Sequence, residues 1–232
     1  MLPYLSLNQT ALDLLTVLMK TVDEPFPSVY TTQVFPQLMS LILNVKEDTL
    51  LQNGTETLKL LVHRDFKGIA SWTDGKTQGF HLIVQFIAKL LDPSLNESSA
   101  IYGGDLVTKL IQMGGQDLAH ILPEILNGVI IRLEVATMPS FVQSLVLIFC
   151  NLIHSQLQVI VDFLATTTVN NKSGLDIFIK AWCSSFGEFQ GYCSVKSSTV
   201  AMAELYACSA HQLQSIVLQG DLVIPVSTSS IL

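Results

Sequence analysis

A chain of 232 residues in which 49% are hydrophobic and only 13% charged is apolar for a soluble protein. Its 19 acidic residues outnumber 12 basic ones, and the net charge of −7 argues against nucleic-acid binding, which needs a basic surface. The same balance suits a basic protein partner, and it equally serves plain solubility.

Apolar-patterned helices fall in pairs that begin near Gln9, Asp48, Glu97, Pro139 and Gly174, about 40 residues apart, the period of HEAT-type helical repeats. One such pair cannot bury its apolar face alone. The expected fold is therefore an all-α, HEAT-repeat α-solenoid of about five helix pairs that share one continuous core. The first segment has no basic leader and carries Asp13 where a signal peptide would be uniformly apolar. In the second pair, Leu50, Leu51, Leu58, Leu61 and Val62 recur at helical steps. Asn53-Gly54 therefore reads as helix rather than hairpin turn, and so does Asn127-Gly128.

The segment Gly79–Leu91 places His81, Gln85 and Lys89 on one thin polar stripe and fills its other faces with Phe80, Leu82, Ile83, Phe86, Ile87 and Leu90. Such a helix needs neighbours on several sides, and Asp92-Pro93 ends it. The run Leu118–Leu133 has His120, Glu124 and Asn127 on its wet side and is expected to bend at Pro123. Pro139 suits a first helical turn. The stretch Phe141–Ile153 that follows is interrupted by Gln143, Ser144 and Asn151 and falls short of the ~20 residues that cross a bilayer. No membrane insertion is expected. A short link leads to a second helix, Leu157–Thr166, with Gln158, Asp162 and Thr166 as its stripe, and the polar loop Thr167–Gly174 is expected to separate two pairs.

The motifs that carry chemistry elsewhere are incomplete here. Asp74-Gly75-Lys76-Thr77 has the tail of a phosphate-binding loop, but Ala70 stands where the motif needs its first glycine, so it reads as a solvent loop. Gly103-Gly104 marks no nucleotide site, and Gly114-Gly115 closes an apolar run as C-terminal helix glycines do. Cys150 and His154 sit four apart without a second ligand pair. They read as a core cysteine beside a helix-end histidine. Cys150, Cys183, Cys193 and Cys208 show no disulfide framework, which suits a reducing compartment, cytoplasm or nucleus. The sequons at Asn8, Asn53, Asn96 and Asn171 are accordingly not expected to carry glycans, and Asn8 and Asn96 suit helix starts. No catalytic residue, cofactor or metal site is assigned. The candidate cargo contacts are Glu124, Asp162 and Glu204 on the expected second helices, while Trp72 and Trp182 are expected in the core.

Particular strings go beyond periodicity. Thr49-Leu50-Leu51-Gln52-Asn53-Gly54, Gln85-Phe86-Ile87-Ala88-Lys89-Leu90-Leu91-Asp92-Pro93, Val142-Gln143-Ser144-Leu145 with His154-Ser155-Gln156-Leu157, and Phe178-Ile179-Lys180-Ala181-Trp182 with Tyr192 and Val195-Lys196-Ser197-Ser198 resemble karyopherins of the importin-beta superfamily. The likeness runs in order from Leu12 to Leu205 and matches a middle-to-C-terminal portion of a longer receptor. It implies a superhelix that carries basic proteins, notably histones and ribosomal proteins, between cytoplasm and nucleus. It also implies contact with nucleoporin Phe-Gly repeats and with the Ran GTPase, whose main site lies in N-terminal repeats that these strings do not match. The likeness fades from Gln212, so residues 1–208 are expected to form the solenoid segment and 209–232, with Pro225 to Ser230, a divergent tail. Leu12, Leu15 and Val17 lack a polar cap, and each large side chain left wet forfeits about 1.5–3 kcal/mol, so self-association or fraying is expected. The rival readings are a helical-repeat scaffold outside transport and a truncated receptor without function.

Overall fold

The computed structural model describes residues 2–208, 210–214 and 216–218. Pro225 to Ser230 and most of the expected tail lie outside the described residues. The chain is an all-α helical-repeat solenoid. Its helices are α1 (Leu2–Thr21), α2 (Phe35–Asn44), α3 (Asp48–Ser71), α4 (Gly79–Leu91), α5 (Glu97–Ala100), α6 (Gly103–Gly114), α7 (Leu122–Val135), α8 (Pro139–Thr166), α9 (Gly174–Ser185) and α10 (Tyr192–Ala207). A π-helical turn, Tyr30–Val34, leads into α2.

Packing sorts these helices into two layers. α1, α3, α6, α8 and α10 contact one another in succession, and so do α2, α4, α7 and α9. The repeats are therefore α1/α2, α3/α4, α5–α6/α7 and α8/α9, followed by α10 as the first helix of a fifth. The expected starts at Asp48, Glu97 and Pro139 coincide with helix starts, and the first helix begins ahead of Gln9, at Leu2. The expected start at Gly174 is corrected: it opens α9, the second helix of the fourth pair. The reason lies in α8, where Leu157–Thr166 continues the same element beyond one non-helical residue, Gln156 (φ −146, ψ 48), instead of turning back as a second helix.

The same break occurs in α3 at Asp65 (φ −149, ψ 57). Asp48 to Asp65 and Pro139 to Gln156 span equal lengths, so the kink recurs at one phase of the repeat. At Asp65 it is built as an internal cap: the carboxylate accepts the Gly68 amide at 3.0 Å and the Thr31 hydroxyl at 2.6 Å. The connectors after the two long helices also match. In one, Thr73 bridges Gln78, and Gly79 N–H donates to the Trp72 carbonyl at 2.7 Å. In the other, β1 (Thr168–Val169) pairs antiparallel with β2 (Lys172–Ser173), and Gly174 N–H donates to the Thr167 carbonyl at 2.8 Å. Asn170 (φ 49) and Asn171 (φ 63) make that turn left-handed at both central positions. The loop Thr167–Gly174 thus joins the two helices of a pair rather than separating two pairs.

One apolar cluster runs from Leu12 to Leu205 between the layers. Phe149, Phe178 and Trp182 pack through it edge-on and tilted, with successive ring centroids 5.1 Å apart, and Trp182 Nε1 donates to Ser198 Oγ at 2.7 Å, tying α9 to α10. Trp182 is fully buried, as expected, whereas Trp72 is only half-buried against Phe35. Asn53-Gly54 and Asn127-Gly128 are helical. Pro123 does not bend a long helix: it lies in the first turn of α7, and Leu118 belongs to a separate 3-10 turn, Gly115–Leu118. By length and composition α8 could cross a membrane, with a mean hydropathy of 1.7 over its most apolar 18 residues. It is instead the broken central helix of its layer, packed against α6, α9 and α10.

Candidate protein-interaction site

The half-motif Asp74-Gly75-Lys76-Thr77 folds as the tip of the α3–α4 connector. Asp74 Oδ1 accepts the amides of Lys76 at 2.9 Å and Thr77 at 2.7 Å. These amides, which a phosphate would need, hold the loop's own carboxylate, and that bonding keeps the Asp74 pKa below the usual carboxylate value. Cys150 is buried and its thiol pKa is pushed up to about 12 by desolvation. His154 lies two residues before the α8 kink, with Nδ1 2.8 Å from Glu204 Oε2 and Nε2 3.1 Å from Ser197 Oγ. It fastens α8 to α10 and does not face Cys150 as a dyad. Among the described residues no group of three or more His, Cys, Asp or Glu could hold a metal ion.

The three candidate cargo residues do not share one wall. Glu124 is exposed in the first turn of α7, in the layer of α2, α4 and α9. Asp162 and Glu204 lie in the other layer, on α8 and α10. Asp162 accepts from Gln158 and Gln212, both at 2.9 Å, and Glu204 holds His154. Two of the three carboxylates are thus already engaged by the chain itself.

Glu124 borders something the sequence reading missed: a groove of 410 Å³ between α4 and α7. Val84, Ile87, Ala88 and Leu91 line one side, Ile121, Ile125 and Ile131 the other, with Asp92 and Glu124 as its carboxylates. Gly128 lies on its floor facing Leu91, where even a Cβ would make only an ordinary contact with Leu91 Cδ1 at 3.4 Å. The nearby cations are turned away. Lys89, expected on the wet stripe of α4, donates to the carbonyls of Ile42 (2.8 Å), Leu43 (3.1 Å) and Val45 (2.5 Å), where α2 ends. Arg132 is buried, with Nη2 donating to the Leu95 carbonyl at 2.7 Å and its guanidinium 5.1 Å from the Phe141 ring centroid. Burial lowers the pKa of both cations. The signal that could have exposed the groove is α7 itself, with apolar residues on more faces than one neighbour can cover.

A second groove, 320 Å³, crosses the other layer between α3, α6, α8 and α10. Most of its lining residues are polar, and its lysines are engaged: Lys59 by Glu56 and Asp105, Lys109 by Gln112.

No family model matches the chain. Importin subunit beta-5 of Schizosaccharomyces pombe is 26% identical over 213 residues, covering 90% of this chain and 21% of that protein. Importin subunit beta-5 of Saccharomyces cerevisiae is 26% identical over 95% of this chain and 22% of its own length. Importin-9 of Drosophila melanogaster is 25% identical over 84% of this chain and 19% of its own length. The chain resembles importins over most of its length, and it spans about a fifth of the curated relatives it matches.

Proposed function

We propose that this chain is a segment of a nuclear import receptor that binds basic protein cargo through its helical-repeat surface and performs no chemistry on it. The observation that carries this reading is the near end-to-end similarity to importins, across repeats in which carboxylates such as Asp48 and Glu204 join one helix to another. The acidic balance of the chain favours cargo such as histones and ribosomal proteins. Cargo and Ran-GTP would favour different curvatures of the full receptor, so that one displaces the other by a population shift. Nucleoporin Phe-Gly repeats would add weak contacts during passage between cytoplasm and nucleus. This segment alone is expected to bind cargo and not to bind Ran-GTP tightly.

The test is a pull-down of core histone dimers by the purified chain at low and physiological salt. Saturable capture that persists at physiological salt supports a cargo-contacting segment. Capture confined to low salt marks nonspecific charge attraction, and no capture at either salt leaves a scaffold or a segment without function.

A further inference from the structure

We propose that the α4–α7 groove is an anchor site for a short apolar run of a partner segment that carries lysine or arginine on either side of it. This rests on reading the chain as a receptor for basic proteins, and it names where and by what chemistry such a protein is gripped.

Four features point to that occupant. The lining is mostly aliphatic, with Asn127 as its uncharged polar residue, and its volume of 410 Å³ lies within the ~300–1,000 Å³ of ligand pockets. Its charges are all negative: Glu124 in the first turn of α7 and Asp92 just after α4. The Ser94 amide, 2.8 Å from Asp92 Oδ1, and the Ser94 hydroxyl hold Asp92 in its ionised form. Arg132 adds some positive potential behind Asp92, but it is buried, donates from Nη2 to the Leu95 carbonyl and does not line the groove. A purely apolar partner would cover two carboxylates without compensation, whereas flanking cations would pair with them at the rim.

The test uses the full chain and a fluorescent synthetic peptide, Lys-Lys-Leu-Leu-Lys-Lys between Gly-Ser spacers, read by anisotropy at physiological salt. Two control peptides replace the leucines by serine or the lysines by glutamine. Ala88 is exposed on the rim of the groove, so Ala88→Trp fills the groove from a surface position without entering the core. Expected is saturable binding that Ala88→Trp and the serine peptide each weaken about tenfold. Glu124→Lys and the glutamine peptide should each weaken it about threefold or more. Circular dichroism melts would confirm that both variants fold. Unchanged binding by Ala88→Trp overturns the site, equal binding of the glutamine peptide overturns the basic partner, and no peptide binding overturns both.

Repeating the histone pull-down with Ala88→Trp separates this inference from the reading beneath it. Histones retained by the variant leave the receptor reading intact and sink the groove. Groove-dependent peptide binding without any histone capture does the reverse.

Discussion

At the residue scale, the polar groups that mark repeat starts in the sequence turn out to be the ones that join repeats. Asp48 opens α3, and its carboxylate accepts from Ser98 at 2.5 Å, from Ser99, and from Asn96 Nδ2 at 3.2 Å in the next repeat. Glu97 opens α5, and its carboxylate accepts the amides of Thr137 (2.9 Å) and Met138 (2.6 Å) where α8 begins. The periodic pattern made these starts legible, but a side-chain partner some fifty positions away leaves no trace in local spacing. Lys89 shows the same limit: it sits on the polar stripe of α4, yet it ends another helix. The Ser98 and Ser99 hydroxyls hold the Asp48 pKa below its ordinary 3.8. A carboxylate depressed in the folded state contributes stability that is present above the unfolded value and is lost as pH falls through the folded one. Acid unfolding should therefore draw on Asp48 below about pH 4. The substitution Asp48→Asn is expected to lower the melting temperature at pH 7 and to flatten its fall from pH 5 to pH 2. Equal slopes for the two proteins would show that the serine bonds do not distinguish folded from unfolded chain.

At the element scale, helix type was legible almost throughout, because apolar residues at three- and four-residue steps admit no strand reading. Pairing phase was not. A single non-helical residue at Gln156 is indistinguishable in sequence from a short inter-helix link, and that ambiguity shifted the expected fifth pair by one helix. The structural marker of phase is the connector: eight residues closed by a glycine amide recur at Trp72–Gly79 and Thr167–Gly174. The glycine is required by close approach, since a Cβ on Gly79 would lie 1.9 Å from the Ile69 carbonyl oxygen. Gly104 plays a similar part between repeats, where a Cβ would lie 2.0 Å from the Ser144 carbonyl oxygen of α8. Backbone cannot yield as a side-chain tip can, so Gly104→Ala must push α6 off α8. A loss of about 1–3 kcal/mol, or more, is expected by urea denaturation, although alanine is the better helix former. A variant as stable as the parent would mean that the layer slides freely at this contact.

At the scale of the whole molecule, the candidate site is legible only in part: charge marks Glu124 in the sequence, whereas the groove beside it exists only once α4 and α7 are set side by side. The ends of the stack raise the remaining question. Of the three residues expected to be left wet, Val17 is exposed, Leu15 is half-buried and Leu12 is buried against the core, and Leu7, Leu14 and Leu18 extend the exposed apolar face of α1. At the other end α10 exposes Tyr192, Val200 and Tyr206. Interior first-layer helices have a neighbour on each flank, as α3 has α1 and α6, and among the described residues α1 and α10 carry apolar side chains on the surface as such internal helices carry them against neighbours. Pairing of α1 with α1 of a second copy would close at a dimer, whereas pairing of α1 with α10 would run head to tail and need not close. Sedimentation velocity over a range of concentrations should show a rising average mass, and Leu14→Glu with Leu18→Glu should return it to the monomer. The double variant removes apolar area that is already half in water, so its melting temperature should barely move. A parent chain that stays monomeric at every concentration would show that the α1 flank, apolar as it is, is too small a patch to hold a second copy.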